Sequence, residues 1–163
     1  MNTTKHQNGF SLIELLIVVA MIGIIVSIAT PNLLASRRAA NEGSAESSLR
    51  TIYSAQSTYL ASAGANSYGT LADLRGEDLV DATIGGGSKS GYTFLCPDLN
   101  LTDGPPPTFF ATAHPTNTGF GTRTGHRSFA IAEDGVLRGK NADAGPANHG
   151  EAVNGVTWPP TNH

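Results

Sequence analysis

A single cysteine, Cys96, stands among 163 residues, so no intramolecular disulfide can form and the fold has to hold by packing. Runs of like charge are missing too. Basic residues are dispersed, the densest being the doublet Arg37-Arg38, and no electrostatic footprint for nucleic acid emerges. Metal-ligand spacing is absent: His114, His126, His149 and His163 are scattered among loops and are expected at the surface. Gly85-Gly86-Gly87-Ser88-Lys89-Ser90-Gly91 lacks the Gly-Lys-Ser/Thr order and the strand-to-helix setting of a phosphate-binding loop. It reads as a flexible turn. No nucleophile with a neighbouring base can be placed, so neither an enzyme nor a cofactor site is expected.

What the chain does have is an apolar run. Residues 10–29 are twenty in number and carry one charge, Glu14. At about 1.5 Å per helical residue they span about 30 Å, the hydrocarbon thickness of a bilayer. A carboxylate there costs about 2.5–3.5 kcal/mol, which marks Glu14 as a functional residue. A secretory signal would share the flank Lys5-His6 and could end at Ser27-Ile28-Ala29. Its apolar core, however, is about 7–15 residues long. A plain single-pass anchor would leave Glu14 incidental.

Gly9-Phe10-Ser11-Leu12-Ile13-Glu14-Leu15 resembles the processing signal of type IV pilins and of the pseudopilins of type II secretion. The resemblance implies a nine-residue leader, residues 1–9, cut after Gly9 by a prepilin peptidase that also methylates the new N-terminus at Phe10. It further implies that Glu14 pairs with the N-terminal amine of a neighbouring subunit. Physically, such a pair relieves a buried carboxylate only in one register, so it sets register more than it adds stability. Without the leader, nine basic side chains face thirteen acidic ones. Cys96 departs from the many pilins that staple a C-terminal loop with a cysteine pair, and it reads as a buried small hydrophobe in a strand.

Gly23 and Pro31 weaken the helix and are expected to kink it; the resemblance adds that the helix can stretch there when subunits pack. Past Pro31, Ala45, Leu49, Ile52, Tyr53, Gln56, Tyr59 and Leu60 recur at helical spacing, with Glu42, Glu46, Arg50 and Ser57 among the other faces. That stripe is expected to pack on a sheet and to stop at Ala63-Gly64. A helix from residue 10 to 62 would be about 80 Å long, and its apolar half needs a membrane or a bundle of copies to cover it. Residues 68–84 read as a connecting loop with a short helix. Strands are expected at 92–96, 108–113 and 128–132, the last turning through Glu133-Asp134-Gly135 into 136–138. Phe94, Phe109, Phe110, Phe120 and Phe129 should supply the core. The succession of these strands also resembles the heads of pilin-like proteins.

The expected class is α+β: leader 1–9, apolar helix half 10–30, amphipathic half 31–63 and a β-rich head 64–163. The function implied by the resemblance is a structural subunit that sits in the inner membrane and polymerises with itself into a surface pilus. Its partners would be the peptidase and an assembly platform with its ATPase. A periplasmic pseudopilin of type II secretion is the alternative. Glu133-Asp134 could offer oxygens to calcium, but a hairpin needs the same residues. No acidic calcium loop is evident near the C-terminus. Asn100-Leu101-Thr102 fits a glycosylation acceptor.

Overall fold

The computed structural model describes residues 9–97 and 107–161, and Asn100 lies outside them. The fold is α+β. Helix α1 (Leu12–Ala61) comes first, followed by α2 (Leu71–Gly76) and α3 (Ala82–Gly85). Strands β1 (Ser88–Lys89), β2 (Tyr92–Leu95), β3 (Phe110–Pro115), β4 (Arg127–Ala132) and β5 (Arg138–Asn141) then precede α4 (His149–Val153). The chain divides into two compact units, one ending at Ser36 and the other beginning at Arg37.

In the first unit, residues 9–33 are all exposed. Helix α1 continues through Gly23 and Pro31. Thr30 Oγ1 donates to the Val26 carbonyl at 2.8 Å beside the proline. Among the described residues, this is the one helix long and apolar enough to cross a membrane.

The second unit is built on the expected stripe. Ala45, Leu49, Ile52 and Gln56, spaced three and four apart, face one way and are buried. They pack with Tyr92, Phe94, Phe109, Phe129 and Ile131. The five strands form an antiparallel meander in the order β1-β2-β3-β4-β5. Alternation divides β3 and β4 between two layers. Ala111, Ala113, Phe129 and Ile131 face the α1 side, whereas Phe110, Ala130 and Ala132 pack with Ala152 of α4. Because both faces are covered, the two central strands are buried almost throughout.

Several expectations need correction. The glycine-rich turn contains β1, held by left-handed backbone at Gly87, Ser90 and Gly91. The last strand begins at Arg138 rather than 136, because Asp134 Oδ1 accepts the Val136 N–H and prolongs the turn. Where a connecting loop with one short helix is expected over 68–84, the chain forms two short helices, α2 and α3, each opened by a capping side chain, Thr70 and Asp81. Helix α1 ends at Ala61, and the turn behind it carries left-handed Ala65 and Asn66. Gly64 serves for its size, since a Cβ there would meet the Ser67 carbonyl oxygen at 2.2 Å. Phe120 is exposed and takes no part in the core. Helix α4 and the segment behind it were not anticipated. Trp158 is buried, the Gly139 N–H donates to the Pro159 carbonyl at 3.0 Å, and the Thr161 N–H donates to the Leu137 carbonyl at 2.9 Å.

Candidate functional site

Gly9, Phe10 and Glu14 lie together at the start of α1. Gly9 and Phe10 precede the helix, and Glu14 occupies its first turn, where the helix dipole favours an anion. The backbone N–H groups of Glu14 and Leu15 both donate to the Ser11 carbonyl, at 3.1 and 3.2 Å. All three side-chain positions are exposed. Gly23 and Pro31 are nine and seventeen residues beyond Glu14, about 13 and 25 Å along a regular helix. A Cβ at Gly23 would meet nothing within 4 Å, so packing does not demand glycine there.

A polar seam joins the second part of α1 to the loop before β4. Asn41 Nδ2 donates to the Thr124 carbonyl at 2.9 Å. Glu42 Oε1 accepts the His126 N–H at 2.7 Å and the Arg127 N–H at 3.3 Å. Glu46 is buried, with Oε1 3.7 Å from Arg127 Nη1, and the Arg127 guanidinium lies 5.0 Å over the Phe129 ring. The Tyr92 hydroxyl donates to the Arg127 carbonyl at 2.7 Å. Burial, with Glu42 adding repulsion, pushes that phenol well above its usual range, so it stays a donor. Gly125 is required here, since a Cβ would sit 2.0 Å from the Tyr92 hydroxyl. Sequence periodicity placed Glu42 and Glu46 off the packed stripe. Their partners lie more than 80 residues away, and no local pattern signals them.

His126 is exposed as expected, whereas His114 and His149 are only partly so. His149 Nε2 lies 2.8 Å from both Glu133 carboxylate oxygens, and its ring meets Phe110 edge-on at 6.5 Å. Asp134 bonds Arg138 at 3.1 and 2.6 Å. Burial raises the Asp134 carboxyl, but those bonds and the Val136 N–H outweigh it and hold the group below its ordinary value. Both acids of that turn therefore have partners, an imidazole for Glu133 and a guanidinium for Asp134, and the hairpin reading accounts for them. His114 is partly buried, with Nδ1 lacking a partner among the described residues, and burial pushes its imidazole down. His163 is outside the described residues. Among the described residues, no group of three His, Cys, Asp or Glu side chains gathers to hold a metal. Cys96 is buried as expected, just past β2, with Gln56 Nε2 at 3.2 Å from its sulfur.

Residues 4–30 match the prokaryotic N-terminal methylation motif. Two curated relatives align with part of the chain. The type IV major pilin protein PilA of Myxococcus xanthus is 42% identical over 56 residues, 34% of this chain and 26% of the relative. The type IV wide pilus major component PilA4 of Thermus thermophilus is 53% identical over 38 residues, 23% of this chain and 29% of the relative. The aligned chain thus spans between a quarter and a third of each relative's length. No solved structure matches.

Proposed function

We propose that this chain, whose N-terminal segment is that of the type IV pilin family, is the structural subunit of a type IV pilus-like filament. It is inserted in the inner membrane and polymerises through α1. One observation carries the reading: residues 10–29 are apolar, exposed throughout, and interrupted by a single carboxylate at Glu14. Water does not tolerate so long an exposed apolar run on one helix, whereas lipid does, and so does a bundle of identical helices.

In this reading residues 1–9 are the leader, and a prepilin peptidase cuts between Gly9 and Phe10 and methylates Phe10. Residues 10–30 form the membrane and fibre-core half, 31–63 the amphipathic half, and 64–163 the head. Glu14 receives the ammonium of a neighbouring copy and fixes axial register. Gly23 and Pro31 are the weak points at which α1 loosens on assembly. An inner-membrane platform with its ATPase drives extrusion, and the assembled pilus stands at the cell surface.

The test is electron microscopy of sheared filaments, with mass spectrometry of their main band. Long filaments whose subunit begins at methylated Phe10 are expected. A mature protein beginning at Thr30 would mean an ordinary signal peptide, and short filaments confined to the periplasm would assign the subunit to secretion. Glu14→Ala should still be cut and inserted, since insertion becomes easier by about 2.5–3.5 kcal/mol. It should assemble poorly. Normal filament yield from that variant would remove Glu14 from the mechanism.

A further inference from the structure

Arg38 of α1 and the loop before β4 enclose a cleft of about 380 Å3 with no carboxylate in its wall, and Phe120 stands on its lining. Arg38 Nε donates to the Arg123 carbonyl at 3.3 Å. Arg38 Nη1 and Arg123 Nη1 flank the His126 ring nitrogens at 3.5 and 3.3 Å. A neutral imidazole has one acceptor nitrogen, so two guanidiniums converge on a ring that can accept from only one. Arg123 is also paired with Asp143. Phe120 is 107% exposed, while Phe94, Phe109, Phe110 and Phe129 are buried. A bare aromatic beside convergent cations calls for an anionic partner with some apolar surface.

The same unit carries an acidic corner. Glu77 and Asp78 follow α2, are exposed, and have no side-chain partner among the described residues. The cleft is fastened to α1 through Arg38, Asn41 and Glu42. The approach to α2 is fastened at Gln56, which bonds both the carbonyl and the N–H of Gly69. These anchors are fourteen to eighteen residues apart on one helix, about 21–27 Å along its axis. The cation-rich and acid-rich patches are thus tied to opposite ends of this stretch of α1.

We infer that the two patches are the two sides of one contact: the Arg38–Arg123–His126 cleft with Phe120 receives the Glu77-Asp78 corner of a second copy of this chain. The contact is heterologous, since each copy uses a different patch on either side. Repeated, it propagates in one direction without closing, as a filament requires. Exposed ion pairs contribute little individually and are screened by salt, so Phe120 is the anchor and the charges select the register. The inference rests on the filament reading above and adds which head surfaces meet.

The test uses the full chain in a host that assembles it. Phe120→Ala and the double change Glu77→Lys with Asp78→Lys alter exposed side chains, so the head should keep its melting temperature. Both are expected to lower the yield of sheared filaments and to make those that form fall apart at lower salt. Arg38→Glu should do the same, and combining it with the Glu77 and Asp78 reversals should restore yield. Absence of filaments from the unaltered chain would refute the filament reading itself. Normal yield and salt resistance in Phe120→Ala and in the acidic reversal would overturn this contact alone. It would equally be overturned if the variants keep their filaments but lose retention on vesicles rich in phosphatidylglycerol, which would assign the cleft to a lipid surface.

Discussion

Residues 12–30 and 45–60 of α1 share one secondary structure and have opposite relations to water. The first stretch is apolar on every side and exposed on every side. The second keeps one narrow apolar stripe, which is buried, while Arg50, Thr51, Ser54 and Ser57 face out. Helix formation therefore says nothing of what a helix is for. The angular distribution of its apolar residues does, because a stripe can be satisfied by one sheet and a full cylinder only by lipid or by other helices.

The strongest test of that contrast is to separate the halves. A chain beginning at Asn32 should be soluble and unfold cooperatively, whereas one beginning at Ala61 should aggregate or fail to fold, because Ala45, Leu49, Ile52 and Gln56 leave the core with it. Circular dichroism and analytical ultracentrifugation would read both, and a well-folded shorter chain would break the comparison. Next in size are single truncations. Leu49→Ala or Ile52→Ala, at positions fully buried, should cost about 2–5 kcal/mol in urea denaturation of the chain from Asn32. Leu16→Ala in the full-length chain should leave the melting temperature of the head where it is.

A smaller effect should come from the seam. Glu42→Ala strips the acceptor from the His126 and Arg127 N–H groups and should cost about 1–3 kcal/mol. The smallest is a pH effect at His114. Burial holds this imidazole below its ordinary value, so the folded head prefers the neutral ring. The unfolded chain takes up its proton near pH 6.5. Stability should therefore fall as pH drops through that value, and it should go on falling until the folded ring also titrates. His114→Gln should flatten that part of the profile, and an unchanged profile would clear His114 of the role.

Much of this was legible because it is local. The apolar run, the stripe at 45–60 and the alternation of β2, β3 and β4 each depend on residues within one turn or one pleat. What escaped the sequence is nonlocal or is set by competition. Phe120 reads as core because phenylalanine usually goes there, but it lies between Gly119 and Gly121 in a loop and is exposed. Glu42 and Glu46 read as solvated acids until the fold brings Arg127 and two backbone N–H groups to them. β1 is two residues long, and its glycines signal a turn before they signal a strand. At the N-terminus the case is reversed. Gly9, Phe10 and Glu14 stand out in the sequence, while among the described residues Glu14 is an exposed side chain in the first turn of α1.

The short clasp made by Pro159, Pro160 and Thr161 along β5 has one more consequence. A meander has two outer strands, and each is a row of donors and acceptors on which a neighbouring sheet can grow. β1 offers only two residues, and the clasp occupies the Gly139 N–H and the Leu137 carbonyl beside the other edge. Two consecutive prolines cannot pass the ladder on, because neither has an N–H to donate. In the filament proposed above, heads held at high effective concentration would thereby be kept from fusing into a continuous sheet. Crowding can then build an ordered assembly in place of an amyloid-like one.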